Sequence, residues 1–405
     1  MKKNFLLILT ILTITTALSF AQETFKLSAQ VRPRFEFDKK GFNNNFKAKT
    51  YTSLRTRLGV SFMPLKDVSG FIQVQDSRVF GEVANTLSNF KNVDLHQAYF
   101  KIENLFALPI DLKIGRMELA YGPERLIGAV NWSNVGRSFE GAVLTINGEK
   151  FKADIFDLQE FERFNYGDSL DQQILGIYTD LVLIKAYKIQ PFIIWQRGVP
   201  TDLLNRFTLG FYVKGDLDQL THETEFAYQL GEITSSGIKQ DVNAYMFAFN
   251  ANYNFESTAQ PSLGVGIDYI SGDETPTDKK YKSFNTLYAT GHKYFGYMDY
   301  FINLPIDTYG LGVTDLIGRF SISPVEKLRA SAHFHIFLAN GNYKLKTGST
   351  SKEFGSELDL LLNYKYNSNV TFEGGFSFFS PGEIFKERRG KDIATWVYLM
   401  AVVNL

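Results

Sequence analysis

The sequence contains no cysteine among its 405 residues. Disulfide-stapled scaffolds, thiolate metal sites and lipid-anchored bacterial lipoproteins all require cysteine, so these classes are excluded. An excess of positive charge is also missing, because 43 Lys and Arg residues balance 43 Asp and Glu residues. A protein that wraps nucleic-acid phosphates carries a strong basic excess, so we expect no nucleic-acid partner.

Long apolar runs are almost absent as well. The one exception extends from Phe5 to Leu18, after Lys2 and Lys3, and Ser19-Phe20-Ala21 follows it. A short basic start, an apolar run and a small residue at a cleavage point are typical of a secretory signal peptide. No later stretch reaches the ~18 consecutive apolar residues that a membrane helix needs. The sequence therefore predicts a signal peptide over residues 1–21, Sec-type export, and a single domain over residues 22–405.

Aromatic residues are abundant, with 37 Phe, 21 Tyr and 3 Trp. This number of aromatic residues is larger than in most soluble domains, whose outer surface must remain in contact with water. It predicts that an apolar medium surrounds the chain. The dominant pattern is alternation with a period of two residues, which is typical of β-strands. From Leu27 to Phe37 every second residue is apolar, and the residues between them are polar: Ser28, Gln30, Arg32, Arg34 and Glu36.

The lengths of these segments favour a membrane barrel. Alternating segments of ten or more residues exceed the ~5–6 of globular sheets but suit a tilted strand that crosses a bilayer. Short connections such as 64–68 alternate with long ones such as 79–91, 119–135, 272–308 and 340–352. We therefore predict an all-β, closed antiparallel transmembrane β-barrel of about 18 strands, with short periplasmic turns and long extracellular loops. We expect residues 392–405 to form the closing strand, paired to the first.

If the apolar face meets lipid, the polar face lines a lumen. Four arginines then share one inner arc, where forked guanidiniums suit anionic groups. An alternative is that these arginines only brace the wall by pairing with acids. The basic residues assigned to the lumen by alternation are Arg32, Arg34, Arg55, Arg57, Arg206 and Arg329.

Acidic residues are expected on other parts of the inner wall. Opposed basic and acidic arcs create a transverse field across a water-filled constriction, as in a porin. The acids are Glu223, Glu225, Asp268, Glu357, Asp359 and Glu373.

The long connection 272–308 mixes cations with aromatic rings, which suits sugar rings bearing carboxylates; the alternative is a flap whose rings pack on the barrel rim. Its candidate residues are Lys279, Lys280, Lys282, His292, Lys293, Tyr294 and Tyr297.

Signals for chemistry are weak. The segment 136–141 resembles a nucleophile elbow around Ser138, but it has one residue too many. His333 and His335 lie two residues apart on one strand face and favour a hydrogen-bonded pair over a metal site, because no third ligand is evident. We predict no enzyme activity, no cofactor and no metal.

Several ordered motifs carry a resemblance. They are Arg32-Pro-Arg-Phe-Glu-Phe37, Ser53-Leu-Arg-Thr-Arg-Leu58, Lys113-Ile-Gly-Arg-Met-Glu118, Gly136-Arg137-Ser-Phe-Glu-Gly141 and Gly272-Asp-Glu-Thr-Pro-Thr-Asp278. Together they resemble the alginate-export outer-membrane porin family, over most of the mature chain. The resemblance implies a monomeric 18-stranded barrel whose arginine-lined constriction passes an anionic polysaccharide from the periplasm to the outside. By matching position, the lining is Arg32, Arg34, Arg55, Arg57, Arg116 and Arg137.

Two features limit the transfer from the family. Simple alternation from Leu112 and Ile114 aims Arg116 at lipid, so a bulge near Gly115 is needed to turn it inward. The inward acids oppose a polyuronate. We expect an outer-membrane channel for polar, anionic, saccharide-like solutes in contact with membrane lipid. The alternatives are a barrel hydrolase that acts on lipid or glycan, and a soluble secreted β-sandwich that binds carbohydrate.

Overall fold

The computed structural model describes residues 25–87, 92–162, 171–198, 204–235, 237–275 and 278–405. The signal peptide predicted over residues 1–21 lies outside these ranges. Among the described residues, no helix is long and apolar enough to cross a membrane.

The described chain forms one closed antiparallel sheet of eighteen long strands. Each strand pairs with the next along the chain, and the last pairs with the first. The strands are β1 (Phe25–Lys39), β2 (Lys49–Leu65), β3 (Val68–Val79), β4 (Val93–Ile102), β5 (Ile110–Met117), β6 (Phe139–Asn147), β7 (Phe151–Phe161), β8 (Gln172–Ile184), β9 (Tyr187–Gly198), β10 (Leu204–Leu217), β11 (Leu220–Ser235), β12 (Ile238–Asn254), β13 (Ser262–Ile270), β14 (Val313–Val325), β15 (Leu328–Lys344), β16 (Thr350–Lys365), β17 (Val370–Pro381) and β18 (Ala394–Asn404).

Short elements lie in the connections. Residues Lys280–Tyr281 pair with β12, and two 3₁₀ turns cover Leu105–Ala107 and Gly291–Lys293. The helices are α1 (Leu304–Asp307) and α2 (Glu383–Arg388).

Closure of the barrel pairs the backbone hydrogen-bonding groups at the edge of the first strand. Val31 pairs with Val403 and Phe35 with Leu399, and the backbone of Ala29 exchanges two hydrogen bonds with Leu405. In lipid an unpaired edge amide costs several kcal/mol, so this seam is required. Pro33, which has no N–H, lies where the β1–β18 pairing is interrupted, while its pairing with β2 continues.

Connections differ at the two ends of the barrel. The turn end carries short connections such as 65–68, 184–187 and 325–328, together with Phe25 and Leu405. The loop end carries longer connections, among them loop 118–138 between β5 and β6 and loop 271–312 between β13 and β14. The long loop predicted over residues 340–352 is wrong, because Tyr343 and Lys344 pair with Ser351 and Thr350 and extend a β-hairpin.

Alternation decides which side chains face outward. In β1, Leu27 is 80% exposed and Phe35 39%, whereas Arg32 is 4% and Glu36 5% exposed. An apolar exterior with a polar interior is the reverse of a soluble fold. The predicted barrel is confirmed, and the alternative of two stacked sheets is wrong.

The loop end of the lumen is filled by the protein itself. Phe301 of loop 271–312 packs on Phe337 of β15 and Phe385 of α2, with ring centroids 4.6 and 5.5 Å apart. Phe379 of β17 lies 5.5 Å from Phe385. Fully burying one such ring contributes about 1.5–3 kcal/mol, so the loop is anchored to the wall by its aromatic residues.

The two long loops also bind each other. Tyr288 donates its backbone N–H to Leu126 O at 2.8 Å and accepts from Gly128 N at 2.9 Å. Arg137 donates to the backbone oxygens of Tyr288 and Ala289. Loops 118–138 and 271–312 therefore form one folded insert inside the barrel.

Candidate functional site

Four arginines form a compact strip on the inner wall of β1 and β2. Arg32 lies directly opposite Arg55 in the strand register, and Arg57 lies opposite Gln30. Together with Arg34 they are all buried, as alternation predicts. We call Arg32, Arg34, Arg55 and Arg57 the arginine strip.

The strip donates to three consecutive backbone carbonyls of loop 118–138. Arg32 Nη1 contacts Asn131 O at 2.5 Å, and its Nη2 contacts Ser133 O at 2.8 Å. Arg55 Nη1 donates to the same two oxygens at 3.0 and 3.1 Å. Arg34 Nη1 reaches Trp132 O at 2.6 Å. A backbone carbonyl satisfies a guanidinium N–H but brings no countercharge.

Only half of the strip is paired with carboxylates. Arg34 Nε binds Glu36 at 2.8 Å, and Arg57 Nη1 binds Glu118 at 3.0 Å. Within the described residues, Arg32 and Arg55 have no carboxylate oxygen within 4.0 Å. Because guanidiniums stay charged in proteins, two positive charges of the strip have no direct ion pair with any residue that the structure describes.

Trp132 fixes the segment that covers the strip. Its ring stacks on His292 at 4.0 Å, with 6° between the planes, and Arg34 lies 4.2 Å from the ring centroid. Tyr398 of β18 meets it edge-on at 4.9 Å. The preceding Val130 has φ 50°, a left-handed conformation that is unfavourable for a β-branched residue. Such strain persists only where surrounding contacts enforce it.

Arg125 is a buried, ion-paired residue of loop 118–138 that the alternation of the sequence does not mark. Its guanidinium binds both oxygens of Asp268 at 2.7 and 3.0 Å and lies 3.5 Å from Glu225. The same group stacks on Tyr294 at 3.8 Å. Burial lowers the pKa of Arg125, but Asp268, Tyr294 and Glu225 outweigh it and raise that pKa above its ordinary value. Nothing in the local sequence of a loop marks this arginine, because its partners lie on β11 and β13.

The predicted acids lie on the inner wall, but most are covered. Glu225 and Asp268 are bound to Arg125 beneath loop 118–138. Glu357 accepts a hydrogen bond from the backbone N–H of Met298 at 2.8 Å, and Asp359 is fully buried. The expected picture of open acidic and basic arcs facing each other is therefore not what the inner wall presents, because the inserted loops cover these carboxylates.

The two remaining acids are half-buried. Glu223 accepts from the Tyr212 hydroxyl at 2.7 Å, and Glu373 accepts from the Asn363 amide at 3.1 Å. Glu373 on β17 lies only two strands from β1, on the same side of the lumen as the strip. The acids thus differ in position as well as in exposure.

The other predicted basic residues have separate environments. Arg206 is buried and donates to Gln196 at 3.3 Å, and Arg137 holds the two loops together. Arg329 is exposed near the turn end and donates to Ser321 at 2.5 Å. None of the three belongs to the strip.

Arg116 does not line the lumen. The pairings of β5 contain no bulge, so Arg116 keeps the outward parity of Ile114 despite the φ of 134° at Gly115. It binds Glu140 at 2.8 Å and lies 3.7 Å from Asp94, two acids that are themselves largely exposed. The family assignment of this residue to the lining is corrected by its position.

The candidates of loop 271–312 divide into two groups. Lys279 and Lys280 are exposed at the rim, where Lys282 binds Asp278 at 2.9 Å. The others lie inside the insert: Lys293 binds Glu124, Tyr294 donates to Pro123 O, His292 contacts Asp299 at 2.8 Å and Tyr297 contacts His292 at 5.0 Å. The loop is part of the internal insert, with only its lysine-rich tip on the rim.

The histidines have structural partners. His335 Nδ1 lies 2.8 Å from Asp315, and His333 pairs in register with Asp359. Within the described ranges, no three His, Asp or Glu side chains are arranged to hold a metal ion.

One serine lies beside a histidine. Ser138 Oγ is 3.3 Å from His96 Nδ1, and His96 Nε2 is 2.7 Å from Glu118. However, Ser138 donates to the His96 backbone oxygen at 2.6 Å, and Arg57 Nη2 lies 2.8 Å from the same Nε2.

Comparison with known proteins gives one family and a set of similar folds. The family described as Alginate export matches residues 23–398. No curated protein is significantly similar to the chain. Among solved structures, Pseudomonas aeruginosa OpdO is 14% identical with a TM-score of 0.63, covering 95% of this chain and 97% of its own.

Two further structures are similar to this chain at comparable identity, coverage and TM-score. Pseudomonas aeruginosa OccD3 (OpdP) is 12% identical with a TM-score of 0.61, covering 94% of this chain and 91% of its own. Acinetobacter baumannii OccAB4 is 12% identical with a TM-score of 0.60, covering 94% and 98%. At these identities the likeness shows a shared fold.

Proposed function

This chain belongs to the alginate export family, and from that premise we propose that its solute is an anionic saccharide drawn along the arginine strip. The protein is an outer-membrane β-barrel channel. The turn end faces the periplasm and the loop end faces the outside, as short turns and long loops do in such barrels. In this proposal the chain acts as a monomer, residues 1–21 direct its export, and flux needs no energy coupling.

The observation that carries the proposal is the pairing of the strip with neutral carbonyls. Arg32 and Arg55 each contact the carbonyls of Asn131 and Ser133 and have no carboxylate within 4.0 Å among the described residues. A carboxylate in the same position gains charge-assisted hydrogen bonds, which are roughly twice as strong as neutral ones. An anion that reaches the strip therefore competes well with segment 131–133.

The covering of four predicted acids favours an anionic solute over a cationic one. Asp268 and Glu225 share the charge of Arg125, and Glu357 and Asp359 are buried behind loop 271–312. Repulsion between these carboxylates and a uronate in the lumen is weakened where a cation lies against them. Four of the six predicted acids are thus withdrawn from the solute path, while Glu223 and Glu373 stay half-buried.

Passage requires segment 131–133 to move, since it occupies the donors of the strip. The segment is held only by non-covalent contacts that can exchange. These are the stacking of the Trp132 ring on His292 and the hydrogen bonds from the arginine strip to its backbone carbonyls. Val130 beside it has a left-handed φ of 50°, and movement of the segment would relieve this strain. Exchange of carbonyls for carboxylates is the step that opens the strip.

The experiment is a reversal-potential measurement in a salt gradient across a planar bilayer, followed by current block with uronic-acid oligomers. Arg55→Ala with Arg57→Ala shifts the permeability ratio toward cations and weakens block. Neutral oligomers of equal length serve as the control, and they should block both proteins equally. A wild-type channel with no anion preference and no selective block contradicts the proposal.

A hydrolase is the second class considered, because Ser138 lies near His96 and Glu118. Its hydroxyl donates to a backbone oxygen, and His96 is almost fully buried, so neither group is free for a substrate. We therefore include no enzymatic step. Hydrolysis of a chromogenic ester that is abolished by Ser138→Ala would reverse this choice.

A further inference from the structure

A second basic site lies in the lumen at the turn end, away from the arginine strip. It is a recess of about 600 Å³ in the inner wall of β1 to β7. Four lysines line it, each from a different strand: Lys26, Lys101, Lys113 and Lys152. Their strand positions give them the inward parity that also defines the strip on β1.

Three of these lysines have no countercharge in contact among the described residues. Lys101 is paired, with Glu103 at 2.6 Å and Asp111 at 3.1 Å. Lys26, Lys113 and Lys152 have no carboxylate oxygen within 4.0 Å in the part of the chain that the structure describes. Asp154 also lines the recess; it accepts a hydrogen bond from the neutral Thr145 hydroxyl at 2.6 Å and keeps its charge. Among the described residues, three unpaired ammoniums thus face one unpaired carboxylate in the recess.

The other lining groups suit a sugar. Lys113 Nζ lies 5.2 Å from the centroid of the Tyr99 ring, so a cation and an aromatic surface are side by side. The hydroxyls of Ser61 and Ser69 complete the polar lining. A hexuronate unit presents a carboxylate for the ammonium, C–H groups for the ring and hydroxyls for the serines. A volume of about 600 Å³ is within the 300–1,000 Å³ range of small-ligand sites.

We propose that this recess is a capture site for anionic saccharides that approach from the periplasm, ahead of the arginine strip. Lys26 precedes Arg32 by six positions on the same face of β1, a separation of about 20 Å at ~3.3 Å per residue. The lysines raise the local concentration of the anion, and the strip then receives it. The inference rests on the proposed function, because it assumes that anions travel this wall.

The test is calorimetric titration of trigalacturonate, a hexuronic-acid trimer, into the detergent-solubilised full chain at low salt. The triple variant Lys26→Gln, Lys113→Gln and Lys152→Gln removes the unpaired charges and keeps polar side chains. We expect the dissociation constant to rise at least tenfold. The matched control is Lys188→Gln, because Lys188 lies near the turn end on β9 and contacts Asp180 at 3.5 Å; binding should change less than twofold.

Two further measurements separate the outcomes. Maltotriose, which carries no charge, should not bind the recess, and the triple variant should keep the anion preference that the strip provides in bilayers. Equal binding of trigalacturonate by wild type and triple variant overturns the capture site but leaves the channel proposal intact. Absence of binding in a wild type that still prefers anions also overturns it, whereas absence of both removes the proposed function as well.

Discussion

Arg55→Gln tests whether the uncompensated charge of the arginine strip sets selectivity. In the part of the chain that the structure describes, Arg55 has only neutral oxygens against it, from Gln30, Asn131 and Ser133. At about 7 Å, one charge changes the energy of a monovalent ion by roughly 0.6–1.2 kcal/mol for an effective dielectric constant between about 80 and 40. Screening at about 0.1 M salt halves this value.

The charge of Arg55 affects the ratio of anion to cation permeability twice, because it attracts the anion and also repels the cation. The expected change is therefore roughly 0.6–1.2 kcal/mol, a decrease of about threefold to eightfold in the ratio. Arg55→Lys keeps the charge and should retain most of the preference. The assay is the reversal potential of single channels in a tenfold potassium chloride gradient.

Arg116→Gln is the matched control, because it removes the same charge from a residue on the outer face that is paired with Glu140. Its permeability ratio should equal that of the wild type. If Arg116→Gln and Arg55→Gln shift the ratio equally, the parity that separates lumen from exterior is refuted. If neither shifts it, the strip does not control the ion path.

Three further predictions concern the insert. Trp132→Ala removes the stack on His292 and should raise single-channel conductance, because segment 131–133 is released; an unchanged conductance contradicts its covering role. Arg125→Met leaves Asp268 buried without its partner and should lower the free energy of unfolding by about 3–5 kcal/mol in urea titrations. Adding Asp268→Asn should recover most of that loss, and a fully stable single variant argues against a stabilising role of the Arg125–Asp268 ion pair. A hydrogen bond from Lys282 lowers the pKa of Asp278 to about 2, so its contacts persist above pH 3.8 and are lost as pH falls through about 2. NMR titration should show this pKa returning toward its ordinary value in Lys282→Gln, and an unshifted pKa in that variant counts against the contact.

The two-residue alternation of the sequence predicted the barrel. In β1 it separated Arg32 and Arg34 from Leu27 and Phe35, and the structure places them on opposite faces. Successive side chains of a strand point to opposite sides whatever the rest of the chain does, so this part of the pattern is local. The same rule placed Arg116 outward, and the structure agrees with the rule rather than with the family resemblance.

The positions of the inserted loops could not be predicted in this way. Loop 118–138 delivers carbonyls to Arg32 and Arg55 and brings Arg125 to Asp268, contacts that join residues between 76 and 143 positions apart. No period links such residues, because loops have none and their paths depend on which cavity they fill. The sequence therefore determined the closed wall and the inward charges. The tertiary structure decided which charges are covered and which stay available to a solute, because burial and ion pairing depend on distant segments that meet only in the folded lumen.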